Sequence, residues 1–154
     1  MDELTVRDIM RTEVVTVGPR DLVRDLAELL AEHKISGVPV VDGERHVIGM
    51  VSEADVIMQD SEFHFPYYIQ FLESVIYLQS MAKFEEKYHK AFGVKISDVM
   101  TKDVIEISPN ESVHAAATLM SNHKVNRLPV VDDGLLVGIV TRGDIVRAIA
   151  EHKA

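Results

Sequence analysis

The sequence predicts an α/β (α+β) protein made of two copies of one unit, each a small three-stranded sheet with two helices. The copies are expected to pair about a pseudo-two-fold axis, with a helical insert between them. Three observations predict this fold class. The 154-residue chain matches itself at an offset of 90 that drops to 89 after Asp42. Each copy alternates strand-length apolar runs with amphipathic helical periodicity. All nine aromatic residues lie outside the copies, between Phe63 and Phe92.

The repeat sets three expected domains, at 1–60, 61–93 and 94–154. One copy has about 55 residues, and a domain so small buries only about 60% of the surface that its unfolded chain exposes. We therefore expect the two copies to pack face to face.

Each copy is expected to open with a short strand, at 14–17 and 104–107, followed by a turn that contains proline. A helix comes next, and Asp21 and Ser112 have the side chains that favour an N-cap. The helix carries one apolar face: Leu22, Leu26, Leu29 and Leu30 in the first copy, and Val113, Ala116, Ala117 and Met120 in the second.

Two further strands are expected at 38–41 and 47–51, and at 128–131 and 136–140 in the second copy, joined by a tight turn with Gly43 or Gly134. The last helix of each copy begins near Ser52 or Thr141. Its inward-facing residues are expected to be Val56 and Ile57 in the first copy, and Ile145, Val146 and Ile149 in the second.

The insert is expected to be helical, because 67–92 contains neither glycine nor proline. It forms either one long helix or two that break near 79–83. Its apolar positions spread over more than one face, which favours packing on its own chain or on a second copy over a groove for a dedicated partner.

Composition and net charge argue against several classes of partner and activity. The net charge of −9 argues against nucleic acid and anionic membranes as partners. No apolar run approaches the roughly 18 residues of a membrane helix, and with no cysteine and no signal-peptide pattern we expect a cytoplasmic protein. Nucleophile-elbow, phosphate-loop and dinucleotide motifs are all missing, and the seven histidines lack metal-ligand spacing. From these absences we expect that the protein is not an enzyme and has no metal site.

Six segments carry a resemblance to a known family. They are 8–10, 33–42 and 49–55 in the first copy and 98–101, 123–132 and 138–144 in the second. The first pair reads Asp-Ile-Met and Asp-Val-Met-Thr, and the second pair shares Pro-Val-Val-Asp. The third pair ends in Ser-Glu-Ala-Asp and Thr-Arg-Gly-Asp. In these segments the chain resembles a tandem pair of CBS domains, or Bateman module, of the stand-alone kind. The resemblance leaves about 60–93 uncovered.

The resemblance implies a regulatory module without chemistry of its own. Such modules bind AMP, ADP, ATP or S-adenosylmethionine in clefts between paired domains, usually form homodimers with four CBS units, and report to an attached or separate effector protein. Since this chain shows no effector domain, a separate protein is expected to read it. Each cleft is composite, with residues from both repeats.

Two unequal clefts are expected when the family's positions are carried over. The stronger one has Met10, Thr12, Val15, Ile35, Ser36, Gly37, Arg127, Ile139, Thr141, Arg142 and Asp144. The weaker one has Met100, Lys102, Ile105, Val125, Asn126, Met50, Ser52 and Asp55, with Gly37 and Arg127 near both.

The residue types suit an adenosyl ligand. A carboxylate such as Asp144 or Asp55 can accept both hydroxyls of a ribose diol. Ser52 and Thr141 stand at a helix N-terminus, where a phosphate is favoured. Aliphatic side chains can enclose adenine: Ile35, Val38, Met50, Val125, Leu128 and Ile139.

The two clefts differ in charge. Arg127 and Arg142 add cationic forks to the second copy, where the first has Gly37 and Glu53. The cleft with Asp144 is therefore the stronger nucleotide site. The cleft with Asp55 binds weakly, prefers an uncharged adenosyl group, or stays empty.

Three alternatives stay open, and one of them is an unrecognised enzyme that acts on the bound nucleotide. Ser52-x-x-Asp55 and Thr141-x-x-Asp144 also have the spacing of a helix capping arrangement. The protein could also be a dimeric interaction or scaffold protein with vestigial clefts that acts through its insert.

Overall fold

The structure, a computed structural model, describes residues 3–61 and 93–152. Within these ranges the chain forms six helices and four strands: α1 (Val6–Ile9), α2 (Val23–His33), β1 (Gly37–Val41), β2 (Val47–Ser52), α3 (Glu53–Ser61), α4 (Ile96–Val99), α5 (Val113–His123), β3 (Arg127–Asp132), β4 (Leu135–Thr141) and α6 (Arg142–Glu151). Strands β1 and β2 form one two-stranded sheet, and β3 and β4 form another. The predicted fold class, two small mixed α/β repeats, is confirmed.

The first long helix of each repeat follows its apolar periodicity. In α5 the buried residues are Val113, Ala116 and Met120, and Ser112 is the N-cap, because its Oγ accepts a hydrogen bond from the amide of Ala115 at 2.9 Å. The matching prediction for α2 is wrong by one residue. Leu22 is the N-cap there, and Asp21 instead accepts from the Gly18 amide at 2.7 Å, which closes the preceding turn.

The hairpin β3–β4 is antiparallel, with Arg127 opposite Thr141 and Asp132 opposite Leu135. Its two-residue turn, Asp133-Gly134, has positive φ at both positions (55° and 80°), the geometry that suits the right-handed twist of paired strands. The predicted tight turn at Gly134 is thus confirmed. It leaves Thr141 at the end of β4, directly before α6.

The third strand predicted for each repeat is much shorter than expected. In the second repeat only Ile107 pairs, in parallel with β3: its amide donates to the Pro129 carbonyl at 3.1 Å, and its carbonyl accepts from the Val131 amide at 2.9 Å. The next rung would require Ile105 to accept a hydrogen bond from the backbone nitrogen of Pro129. Proline has no N–H, so the ladder stops after one residue.

The described chain divides into two compact units, and each takes segments from both repeats. One unit contains 3–16, 39–50 and 101–152, and the other contains 17–38, 51–61 and 93–100. The core of the first unit is aliphatic, as the sequence predicts: Val6, Ile107, Val113, Ala116, Met120, Leu128, Val130, Val140, Ile145 and Ala148. The domain bounds predicted from the repeat stay a prediction.

The leading segment of each repeat docks beside the long helix of the other. In the first unit the Val6 amide donates to the Glu111 carbonyl at 2.8 Å, and the Val113 amide donates to the Leu4 carbonyl at 2.9 Å. The second unit repeats the pattern with Ile96 and Asp21 (2.8 Å) and with Val23 and Val94 (2.9 Å). This exchange places the residues that follow Val6 next to the second repeat.

Three residues predicted to face inward on the last helices are exposed instead. Ile57 on α3 is 62% exposed, and Val146 and Ile149 on α6 are 60% and 50% exposed. The buried face of α6 carries Asp144, Ile145 and Ala148. Val146 and Ile149 each follow a buried residue by one position, which turns them about 100° away from the core.

The insert predicted for 61–93 lies, apart from its end residues, outside the described residues. Among the helices that are described, none has the length and apolar character required to cross a membrane. Nor do the described residues contain a cluster of three or more side chains suited to hold a metal ion.

Candidate functional site

The site is built around Asp144, the one buried charged side chain among the described residues. Asp144 lies in the first turn of α6, three residues after Thr141, which ends β4 and caps the helix. The Asp144 carboxylate oxygen Oδ2 accepts hydrogen bonds from the Thr141 amide and hydroxyl, both at 2.9 Å. The Thr141 Oγ1 in turn accepts from the Asp144 amide at 3.3 Å. The capping arrangement that the sequence left open is therefore present.

Two arginines contact the other carboxylate oxygen of Asp144. Arg147, one turn along the same helix, approaches Oδ1 with Nη2 at 2.6 Å, and Arg11 approaches it with Nε at 3.4 Å. Both arginine side chains are more than half exposed, whereas that of Asp144 is 4% exposed. A buried carboxylate is thus balanced by two guanidinium groups that reach it from solvent.

The pKa of Asp144 reflects these contacts. Burial pushes the pKa of this carboxyl up, because a charged group loses hydration. The hydrogen bonds from Thr141, the charge of Arg11 and the hydrogen bond from Arg147 act in the opposite direction and outweigh burial, so the pKa lies below the ordinary value of an aspartate. Asp144 is therefore ionised at neutral pH.

Backbone pairing fixes Arg11 in this position. The Arg11 amide donates to the Ile139 carbonyl and the Ile139 amide donates to the Arg11 carbonyl, each at 2.9 Å. The neighbouring Gly138 makes the approach possible: a Cβ atom there would lie 2.6 Å from the Met10 sulfur and 3.0 Å from the Arg11 carbonyl. The residues at the corresponding repeat positions, Met50 and Thr101, form the same pair of backbone hydrogen bonds, each at 2.9 Å.

The structure places most of the stronger predicted site in one compact unit. That unit contains Met10, Thr12, Val15, Arg127, Ile139, Thr141, Arg142 and Asp144, whereas Ile35, Ser36 and Gly37 belong to the other unit. Ile139 pairs with the segment next to Met10 and Thr12, and Arg127 lies opposite Thr141 in the β3–β4 register. Sequence positions more than 100 residues apart therefore meet around Asp144.

A cavity of about 400 Å³ opens on the same unit, where α5 ends and α6 begins. Arg142 lines it, and the Arg142 amide donates to the Asn126 carbonyl at 2.9 Å. Lys124 gives it a second cation. The remaining lining residues are Ala117, Met120, Ser121, Val125, Asn126, Ile145 and Val146.

The weaker predicted site is divided between the two units. Lys102, Ile105, Val125, Asn126 and Met50 lie in the first, and Met100, Ser52 and Asp55 in the second. The Asp55 carboxylate accepts a hydrogen bond from the Ser52 amide at 2.8 Å. This repeats one of the contacts that Asp144 makes with Thr141.

Two residues expected to enclose adenine are not available for it. Leu128 is fully buried in the hydrophobic core, and Val38 is 1% exposed. The other four, Ile35, Met50, Val125 and Ile139, are only partly buried, so they remain candidates for an apolar wall.

Sequence reasoning missed Arg11 and Arg147 as partners of Asp144. A signal for Arg147 was present, because position i+3 on a helix brings a cation beside an acidic residue. Arg11 is 133 residues from Asp144, and only the exchange of leading segments between the repeats brings the two together. In the repeat alignment, the counterparts of Arg11 and Arg147 are the uncharged Thr101 and Met58.

Comparison with known proteins agrees with this architecture. The protein MJ1426 of Methanocaldococcus jannaschii is 34% identical over 154 residues, which cover 95% of this chain and 91% of that protein. The structure of Arabidopsis thaliana CBSX2 in complex with AMP matches with a TM-score of 0.74 at 32% identity, over 98% of this chain and 99% of that one. The CBS domain pair of MJ0100, in complex with 5′-methylthioadenosine and S-adenosyl-L-methionine, matches with a TM-score of 0.71 at 25% identity, over 99% of this chain and all of that one.

The profile of the CBS domain matches this sequence twice. The matched segments, 6–62 and 96–151, coincide with the two repeats. They also contain Asp55 and Asp144 at corresponding positions. The chain belongs to the CBS domain family.

Proposed function

We propose that this protein is a regulatory module that binds an adenosine-containing ligand at Asp144. The observation that carries the proposal is the buried, ionised carboxylate of Asp144 at the start of α6, in contact with Arg147 and with Arg11, whose backbone pairs with Ile139. A carboxylate in this position is suited to accept the hydroxyls of a ribose diol. The relatives that bind AMP, or methylthioadenosine and S-adenosylmethionine, support an adenosyl ligand.

The proposed site uses the predicted residues in the first unit. Ile139 and Met10 offer apolar surface for adenine, Asp144 accepts the ribose hydroxyls, and Arg127 and Arg142 attract phosphate. Ile35, Ser36 and Gly37 remain predicted contributors. A second, weaker site is proposed at Asp55 and Ser52. Its further residues stay sequence predictions: Met50, Met100, Lys102, Ile105, Val125 and Asn126.

The module has no proposed chemistry of its own. Its output is the change in affinity for a separate, unidentified effector protein when the ligand binds, in a cytoplasmic setting.

We also propose that it works as a homodimer. The exposed apolar residues Val146 and Ile149, which lie together on α6, suit a surface that a second copy covers. Sedimentation equilibrium would detect a monomer if this part is wrong.

Isothermal titration calorimetry tests the ligand directly. The protein is titrated with AMP, ADP, ATP and S-adenosylmethionine, and Asp144→Asn is compared with the matched variant Asp55→Asn. We expect Asp144→Asn to weaken the tightest binding event at least about tenfold, because a lost charge-assisted hydrogen bond costs about 1.5–3 kcal/mol. Asp55→Asn should leave that event intact.

Circular dichroism at the titration temperature establishes that both variants are folded. Unchanged binding by Asp144→Asn would refute the site. If the wild-type protein binds none of the four ligands at millimolar concentration, the nucleotide proposal fails and the scaffold alternative is left.

A further inference from the structure

The Asp144 carboxylate already holds a full set of hydrogen-bond donors. Oδ2 accepts from the amide and hydroxyl of Thr141, and Oδ1 accepts from Arg147 and Arg11. An ionised carboxylate offers about four lone-pair sites, and these four donors use all of them. A ribose diol can therefore bind this carboxylate only if it displaces a donor that is present.

Arg11 is the donor that is held least firmly. Its Nε lies 3.4 Å from Oδ1, whereas Arg147 lies at 2.6 Å and both Thr141 donors at 2.9 Å. A distance of 3.4 Å is beyond the usual 2.7–3.2 Å range for this kind of bond. Thr141 and Arg147 also belong to the cap and the helix that carry Asp144, whereas Arg11 comes from a separate segment.

A displaced Arg11 side chain would stay close to the site. Its backbone is fixed by the two hydrogen bonds to Ile139, so its charge remains within one side-chain length of the carboxylate. The Thr141 hydroxyl cannot donate a hydrogen bond to a phosphate in place of Arg11 unless it gives up its hydrogen bond to Asp144 Oδ2. With two arginines and one aspartate, the cluster carries a net charge of +1.

We propose that Arg11 is the specificity-determining residue of this site. One ribose hydroxyl takes its place on Asp144 Oδ1, and the released guanidinium binds the anionic 5′ group of the ligand. This inference rests on the proposed function at Asp144, and it commits the site to phosphorylated adenosyl ligands over adenosine and S-adenosylmethionine. The residue that corresponds to Arg11 in the second repeat is Thr101, so the Asp55 site lacks this exchange.

The exchange predicts effects of opposite sign for two ligands that differ only in the phosphate. AMP and adenosine are titrated calorimetrically into Arg11→Met, which keeps the aliphatic stem, and into Arg11→Lys, which keeps the charge. All proteins carry Asp55→Asn, so that the second proposed site adds no heat. The control is Arg7→Met, an exposed arginine on α1 that lies 3.8 Å from Asp132 and does not contact Asp144.

We expect Arg11→Met to weaken AMP binding about ten- to a hundredfold and to leave adenosine binding unchanged or tighter. Adenosine gains because it no longer has to displace a competing donor. Arg11→Lys should keep most of the preference for AMP, and Arg7→Met should change neither affinity.

Equal losses for AMP and adenosine in Arg11→Met, or an unchanged ratio of the two affinities, would overturn the role of Arg11 and leave the proposed function standing. If the parent protein binds neither AMP nor adenosine, the proposed function itself fails, and the exchange fails with it.

Discussion

Replacing Asp144 by asparagine should destabilise the ligand-free protein far more than the same change at Asp55. Asparagine keeps the shape of the side chain but removes the charge and turns one acceptor into a donor. The amide group must then face either the two Thr141 donors or the two guanidinium groups. Both directions set donor against donor at a position that is 4% exposed.

The expected cost is about 2–3 kcal/mol. Weakening of the capping-box hydrogen bonds from Thr141 to the Asp144 side chain contributes about 1 kcal/mol. A buried polar group without a partner adds about 1 kcal/mol or more. The two arginine contacts add about 0.5–1 kcal/mol together, because both guanidinium groups are exposed and solvent screens them. In a protein of this size, the sum lowers the melting temperature by about 5–10 °C.

Urea denaturation followed by circular dichroism at pH 7 gives the free energy of unfolding. The matched variant Asp55→Asn keeps an oxygen that can accept from the Ser52 amide and loses only the charge, so it should cost about 1 kcal/mol or less. Equal losses for the two variants, or a loss below about 0.5 kcal/mol for Asp144→Asn, would refute the reasoning that the Asp144 cluster is the tighter of the two.

Three further changes can be measured in the same way. Because the pKa of Asp144 is lowered in the folded protein, its contribution to stability is complete above the ordinary aspartate pKa of about 3.9 and is lost as the pH falls through the lower folded value. Melting temperatures should therefore fall less steeply from pH 7 to pH 3 for Asp144→Asn than for wild type. Parallel curves would contradict this. Gly138→Ala should lower the free energy of unfolding by about 1–3 kcal/mol, because its Cβ would lie 2.6 Å from the Met10 sulfur. Gly43→Ala has nothing within 4 Å of its Cβ and should change this free energy by less than about 0.5 kcal/mol. Similar values for the two variants would show that the Met10 side chain moves aside. Ser112→Ala should cost about 1 kcal/mol through loss of the α5 cap, and no change in unfolding free energy would mean that this hydrogen bond is replaced by water.

Local patterns in the sequence predicted the parts of the fold that depend on near neighbours. The α5 face, the Ser112 cap and the turn at Gly134 follow from residues only a few positions apart. The first strand of the second repeat depends on the chain that it pairs with, and Pro129 limits that ladder to one residue. Strand propensity alone could not reveal this, since the missing donor belongs to a distant segment.

The candidate site shows the same division. Thr141 and Asp144 were predicted together because a turn of helix joins them, and their mutual hydrogen bonds are present. The contact between Arg11 and Asp144 depends on which segments the repeats exchange, and neither charge pattern nor spacing encodes it. Val146 and Ile149 were expected inside because apolar residues alone do not distinguish the core face of a helix from an exposed apolar face.

A crystal structure of the protein with AMP would show the contacts of Asp144 and Arg11 directly. We expect a ribose hydroxyl within about 3 Å of Asp144 Oδ1, with the Nε of Arg11 no longer on Oδ1 and its guanidinium on the phosphate. AMP bound away from Asp144, or bound there while Arg11 keeps its contact with Oδ1 and leaves the phosphate alone, would contradict it.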